Sequence, residues 1–198
     1  MRELALHLLD MIENSFRAGA SRVTVSISED TRRDLLELRV DDDGPGLSVP
    51  KRVAVDPFYT TKEGKRTGLG LSLLNAGAER AAGRLSLRRS GMGGLSVRAC
   101  MRLSHVDRAP LGDLARTLGA ASCTHPEVDF RVRISMNGAE CGVSTRELRM
   151  ADPVAARRRA AAAAGGRDER ANRMSPIELS QQFAGKVREA MAALGVVE

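Results

Sequence analysis

The chain of 198 residues suits one domain with an appendage or two small domains, and its core must be mainly aliphatic because hydrophobic residues make up 42% and aromatic residues 3%. A net charge of +6 suits a nucleotide or another polyanion, but no zinc-finger spacing or RNP-like motif supports specific nucleic-acid binding. No apolar run approaches the roughly 18 residues of a transmembrane helix, and the charged start does not fit a signal peptide, so no membrane partner is expected. Three cysteines without a CxxC pair favour a cytoplasmic location.

The N-terminal half of the chain alternates between helical and strand periodicity. The predicted elements, in chain order, are a helix over 2–18, strands over 21–28 and 35–42, a polar loop over 55–68, a helix over 69–82, and strands over 83–90 and 94–103. The order helix, hairpin, loop, helix, hairpin predicts an α+β fold with helices on one face of an antiparallel or mixed sheet.

The C-terminal half also mixes helices and strands, but in a less regular order. It predicts a helix over 111–121, a strand over 128–136, a turn at 137–140, a short strand or helix, and a C-terminal helix that begins with a capping box at Ser175, Pro176 and Glu178. The Ala-, Arg- and Gly-rich stretch before that helix favours a linker. The predicted organisation is a first domain over 1–104, a small α/β appendage over 105–150, a linker over 151–174 and the C-terminal helix over 175–198.

Polar residues recur along one side of the first predicted helix. Steps of three and four connect Glu3, His7, Asp10, Asn14 and Arg17. The amide oxygen of Asn14 suits Mg²⁺, which prefers hard oxygen ligands. Asp10, one turn away, could accept a proton from an attacking water, and Arg17 could reach a phosphate oxygen. His7 either touches phosphate or water, or is a surface histidine without a role.

Two glycine motifs follow in the chain. The segment DDGPG places Asp42 at a strand end, where its carboxylate could accept a hydrogen bond from an exocyclic amine, and Gly44 and Gly46 would let a flat base lie against the backbone. The segment TGLGL places Gly68 and Gly70 at the start of a helix, whose free N–H groups and positive dipole end suit phosphate. Each motif alone is a weak signal, but the three in order are much more specific.

These motifs resemble the boxes of the GHKL superfamily of ATP-binding proteins, which includes gyrase B subunits, heat-shock chaperones, histidine kinases and MutL proteins. The segment LDMIENSFRAGAS resembles the N-box, DDGPG the G1 box, and DPFYTTKEGKRTGLGLSLL the F and G2 boxes. The resemblance covers roughly residues 2–103. It implies a Bergerat fold, an α/β sandwich in which ATP lies between the helical layer and a lid.

The resemblance also implies roles for single residues. By this likeness Asn14 binds magnesium, Asp42 reads the adenine amine, and Lys62, in a lid over 48–67, contacts phosphate. The glycines and leucines of the G2 box would line the phosphate end of the site: Gly68, Leu69, Gly70 and Leu71.

The chain departs from the GHKL pattern at three positions. Asp10 stands where the hydrolytic families have Glu, and this carboxylate, shorter by one methylene, predicts slow or absent hydrolysis. Arg66 stands where histidine kinases often have Gly, and Gly94 stands where the late GxGT motif has Thr.

Three functions therefore remain open from the sequence. The leading interpretation is an Mg-ATP-binding protein that acts as a slow ATPase or a nucleotide-dependent switch on a protein partner. The alternatives are a serine or histidine protein kinase acting on a separate protein, and an ATP-binding interaction module without turnover. The segments SHVDRAPLGDLARTL and PEVDF resemble stand-alone ATP-binding proteins of hydrogenase and redox operons, which implies a partner in such a system, and a homodimer is a further candidate assembly.

Overall fold

The computed structural model of the protein describes residues 3–56, 69–151 and 174–196. Its helices are α1 (Leu4–Arg17), α2 (Lys51–Ala54), α3 (Leu69–Arg80), α4 (Leu114–Thr124), α5 (Thr145–Ala151) and α6 (Pro176–Leu194). Its strands are β1 (Arg22–Asp30), β2 (Leu35–Asp42), β3 (Arg84–Arg89), β4 (Leu95–Arg102), β5 (Asp129–Met136) and β6 (Ala139–Ser144). Within these ranges, no helix combines the length and the apolar character needed to cross a membrane.

The strands form one six-stranded mixed sheet in the order β3-β4-β2-β1-β5-β6. All neighbours are antiparallel except β1 and β5, which run parallel. The α+β class and the C-terminal helix are thereby confirmed, in the arrangement predicted for a Bergerat sandwich. The strands of the predicted appendage, β5 and β6, extend the sheet of the N-terminal segment, while the division of the chain at residue 104 stays a prediction.

Strand alternation divides the sheet into a helical face and a polar face. On β1, Val23, Val25 and Ile27 are buried under the helices, while the residues between them point to the other face. The apolar stripe of α1, which includes Leu8 and Ile12, packs into the same core. The last turn of α1 is thereby held directly over the start of β1 and the end of β2.

Helix α4 begins three residues later than the sequence pattern predicts. Gly112 has a positive φ of +74°, which a helix cannot continue through, and the side chain of Asp113 caps the helix by accepting a hydrogen bond from Arg116 N at 2.8 Å. The sequence predicts a short strand or a short helix after the turn at 137–140. The structure contains both, first strand β6 and then the short helix α5.

The predicted capping box of the C-terminal helix is confirmed. Glu178 N donates to Ser175 Oγ at 3.2 Å, and Ser175 N donates to Glu178 Oε2 at 2.9 Å. The predicted linker lies almost entirely on residues 152–173, outside the described residues. Residues 57–67, most of the predicted lid and including Lys62, also lie outside them, as does Gly68 of the predicted G2 box.

Candidate functional site

Asp42 ends strand β2 as a nearly buried carboxylate, with 4% of its surface exposed. Its Oδ2 accepts a hydrogen bond from Ser15 Oγ at 2.7 Å. Its Oδ1 accepts from the backbone N–H groups of Gly44, at 3.0 Å, and Leu95, at 2.9 Å. Because a carboxylate offers about four acceptor positions, these three donors hold the group rigidly and leave about one position, on Oδ2, for a further donor.

The hairpin between β3 and β4 closes tightly around the same aspartate. Ser90 Oγ and Gly94 N donate to the Asp42 carbonyl at 2.6 and 3.2 Å. A Cβ on Gly94 would lie 2.2 Å from Asp42 Oδ1 and 2.6 Å from Gly44 N, so only glycine fits. Gly94 looks in the sequence like a departure from a family motif, and no sequence pattern points to Ser15 or Ser90; the glycine-rich turn GMGG at 91–94 is the available signal for a close backbone approach.

Three consecutive aspartates have three different environments. Asp41 points to the polar face and forms an ion pair with Arg39 at 2.8 Å. Asp43 binds Ser21 N and Arg22 N, both at 2.8 Å, and fixes the connection from α1 to β1. Its partial burial raises the pKa of Asp43, but the hydrogen bonds from Ser21 and Arg22 outweigh this and hold it below the ordinary value. Asp42 alone faces the interior between α1 and the β3–β4 hairpin.

The glycines after β2 approach the same interior. A Cβ on Gly44 would lie 3.3 Å from Asp42 Oδ1 and 3.7 Å from the Cβ of Ala20. Gly46 has a φ of +77°, which favours glycine. Gly44 therefore lies against the carboxylate and the segment that follows α1, whereas Gly46 lies against the backbone of Gly94, with 3.8 Å from its Cβ position to the Gly94 carbonyl.

The N-terminus of α3 lies beside α1 at Asp10. A Cβ on Gly70 would lie 3.4 Å from the Cβ and 3.6 Å from Oδ2 of Asp10. Leu69, the first residue of α3, is exposed, and Leu71 is partly buried against the core. The first-turn N–H groups of a helix have no partner within that helix, so the polar side of α1 and a donor-rich helix end meet here.

The polar stripe of α1 is only partly directed toward this region. Asn14, one residue before Ser15, is half-buried. Arg17 is largely exposed, and its Nη2 lies 3.5 Å from Glu13 Oε2. The interpretation of His7 as a surface residue is wrong, because only 8% of it is exposed. Glu3 lies against Gly112, so the first turn of the stripe contacts the segment before α4.

The sequence profile of the histidine kinase-, DNA gyrase B- and HSP90-like ATPases matches residues 2–105, more than half of the chain. The chain belongs to this family. The family match covers α1 to β4 and therefore every residue of the region around Asp42, and it identifies an ATP-binding domain homologous to those of histidine kinases.

Relatives of this ATPase-family chain include two bacterial sensor kinases. It is 34% identical over 111 residues to the sensor protein kinase CarS of Pseudomonas aeruginosa, covering 54% of this chain and 24% of that one. It is 32% identical over 96 residues to the sensor histidine kinase CpxA of Escherichia coli, covering 46% and 21%. The chain therefore matches about a quarter of the length of these relatives. Among solved structures, the ATP-binding domain of PrrB from Mycobacterium tuberculosis is 26% identical, with a TM-score of 0.37 over 49% of this chain and 64% of that one.

Proposed function

We propose that the chain binds Mg-ATP between α1, the end of β2 and the start of α3, and acts as a slow ATPase or nucleotide-dependent switch on a protein partner. The observation that carries this proposal is the Asp42 carboxylate. Three donors hold it within a glycine-walled interior, and about one acceptor position stays open.

The chemistry of that open position favours adenine. An acceptor-only carboxylate pairs with the exocyclic amine of adenine and repels the carbonyl oxygen that guanine carries at the same place. A site built around a buried hydrogen bond rejects ligands that lack the matching group. Gly94 lets the hairpin backbone pack directly against Asp42 and Gly44, so the carboxylate is held in one orientation toward its open position.

The triphosphate and magnesium would lie toward α3. Magnesium bound there would supply charge neutralisation at the phosphates, and Asn14 is its proposed protein ligand. The described residues contain no group of three or more His, Cys, Asp or Glu that could hold a metal, so Asn14 would share the ion with nucleotide oxygens and water. Asp10, beside Gly70, is the proposed base for an attacking water, and the N–H groups of α3, together with Arg17, Lys62 and Gly68, are proposed phosphate contacts.

A second candidate is a protein kinase that acts on a separate protein. The names of CarS and CpxA favour it, because both relatives are sensor kinases. An interaction module without turnover would follow if the short Asp10 side chain cannot activate water. The proposed partner is a protein of a redox or hydrogenase system, and a homodimer is a further proposed assembly.

Incubation with γ-labelled ATP separates these functions. The full chain is tested alone and with cell lysate, and Asp42→Asn serves as the binding-deficient control. Free phosphate supports the ATPase, label on another protein supports the kinase, and ATP binding without either supports the module. If calorimetry of the wild-type chain detects no ATP binding in the presence of Mg²⁺, the proposal is wrong.

A further inference from the structure

We infer that Phe183, on the C-terminal helix α6, is a positioning residue for the nucleotide site, so that docking of α6 and nucleotide binding support each other. This inference rests on the proposed ATP-binding function. It concerns a helix outside the segment that matches the ATPase family, because that match ends at residue 105.

Helix α6 docks closely onto the body of the protein. Its buried face includes Phe183 and Val187, neither of which is measurably exposed. It lies so near α4 that a Cβ on Gly119 would stand 2.7 Å from the Cβ of Ala184 and 2.9 Å from the carbonyl oxygen of Ser180. At Gly119 the two helices are therefore in such close contact that a methyl group would not fit between them.

A row of aromatic rings leads from α6 to α1. The ring of Phe183 stacks on Phe130 of β5 with centroids 5.3 Å apart. Phe130 meets Phe16 of α1 edge-to-face at 6.0 Å, and Phe16 contacts the ring of His125 at 4.7 Å. Such aromatic pairs contribute specific geometry beyond the burial of area, so a change at Phe183 moves the rings that follow it.

Strand register connects the same row to Asp42. Val23 of β1 pairs with Phe130 on one side and with Asp42 on the other. Phe16 directly follows Ser15, whose hydroxyl holds Asp42 Oδ2. The last turn of α1 therefore lies between the aromatic row and the buried carboxylate, and any displacement of Phe16 also displaces Ser15 and Asn14.

Contacts from α4 confine the same turn. His125, which follows α4, contacts the ring of Phe16 at 4.7 Å, and Thr124 Oγ1, which donates to the Ala121 carbonyl at 3.0 Å, lies 3.4 Å from Glu13 Oε1. Because α6 packs directly on α4, loosening α6 would release this second restraint as well. Coupling is reciprocal: if α6 strengthens nucleotide binding, bound nucleotide must strengthen the docking of α6 by the same factor.

The test uses the full chain with Phe183→Leu, which keeps a large apolar side chain and so preserves the fold. The control for general destabilisation is Met101→Ala, which truncates a buried side chain on β4 at the far end of that strand from Leu95. Affinity for a non-hydrolysable Mg-ATP analogue is measured by calorimetry. We expect Phe183→Leu to weaken it by about fivefold or more and Met101→Ala to leave it unchanged.

Hydrogen exchange of the unliganded proteins gives a readout that does not depend on nucleotide. We expect Phe183→Leu to accelerate exchange in residues 14–18 and at the amides of Gly44 and Leu95, with β3 unaffected. Wild-type affinity and exchange in a folded Phe183→Leu protein would overturn the inference, as would equal losses in Met101→Ala. If the wild-type chain binds no nucleotide, the proposed function fails, while the exchange comparison still decides whether α6 positions α1.

Discussion

Asp42 and Asp41 are neighbours in sequence, but their side chains lie in entirely different environments. Alternation along β2 turns Asp42 toward the helices and Asp41 toward the polar face, where Arg39 neutralises it. The G1-box likeness singles out Asp42 from three consecutive aspartates, and its contact with adenine stays a prediction. The groups that orient it were not predictable, because Ser15 is 27 positions away and the amide of Leu95 is 53 positions away along the chain.

The two aspartates give a matched pair of variants. We expect Asp42→Asn to weaken ATP binding at least tenfold, about 1.4 kcal/mol, because the amide has a donor where the carboxylate offers its open acceptor. Asp41→Asn should bind ATP like the wild type, since its side chain lies on the other face. Calorimetry with both variants is the measurement, and equal affinities would remove Asp42 from the site.

Ser15 should act through Asp42. Ser15→Ala removes one donor from a buried carboxylate, so we expect a free energy of unfolding lower by about 1 kcal/mol and weaker ATP binding. Ser122 is a suitable control, because it is also buried and its hydroxyl donates to the Gly119 carbonyl of its own helix, at 2.7 Å. Urea unfolding and ATP titration of both variants check this; a loss of affinity as large in Ser122→Ala would count against a specific role for Ser15.

At the scale of elements, the β3–β4 hairpin forms a wall of the site through its turn. A methyl group on Gly94 cannot fit without moving Asp42 or the hairpin. We expect Gly94→Ala to destabilise the protein by about 1–3 kcal/mol and to weaken ATP binding by at least tenfold, since overpacking forces the backbone to shift.

Gly91, in the same turn, provides the control for this variant. A Cβ on Gly91 would meet nothing within 4 Å, so Gly91→Ala should fold and bind ATP normally. Unfolding curves and calorimetry are compared for the two alanine variants. Normal binding by Gly94→Ala would show that the hairpin does not shape the site.

Another element-scale restraint is the turn between β1 and β2, which is tied to the end of β4. Asp34 accepts hydrogen bonds from Arg102 Nε at 2.6 Å and from Ser104 N at 2.8 Å. These bonds, first that from Arg102 and then those from Ser104, lower the pKa of Asp34 to about 2. Because the folded pKa is depressed, the stabilisation is fully present above the ordinary value of 3.8 and is lost as the pH falls toward 2.

This restraint can be tested by pH. We expect the melting temperature of the wild type to exceed that of Asp34→Asn at pH 7, and the gap to close between about pH 4 and pH 2. Asn tolerates the positive φ of 52° at this position, so the variant tests the charge and not the turn. The exposed Asp107 serves as control through Asp107→Asn; a gap that persists unchanged at pH 2 would contradict the assignment.

For the whole molecule, the parallel pairing of β1 with β5 decides how the two halves of the chain combine. The individual strands were predictable from their alternation, but this pairing was not, because parallel strands leave no turn signal between them. Without β5, the central strand β1 would have an unpaired edge, and Phe16 would lose Phe130.

The domain boundary predicted at residue 104 can be tested by expressing residues 1–104 alone. We expect this fragment to lack a cooperative urea transition, because the lost contacts are worth several kcal/mol against a typical total of about 5–15 kcal/mol. The full chain under the same conditions is the reference. A sharp transition with retained ATP binding would establish residues 1–104 as an independent folding unit.

The parallel pairing also orders events on the ribosome. Strand β2, which ends at Asp42, and strand β4, which begins at Leu95, leave the exit tunnel long before α6. The last residue of α6 follows the end of β4 by about 90 positions. At about 5–20 residues per second, this delay lasts roughly 5 to 20 seconds. For about the first third of that time, until the end of β5 follows the end of β4 by 34 positions, the nascent chain carries the nucleotide-binding motifs without the strand that pairs with β1. We therefore expect nucleotide to be captured only after α6 has emerged, and an exposed β1 edge to be the point at which nascent chains need protection from aggregation.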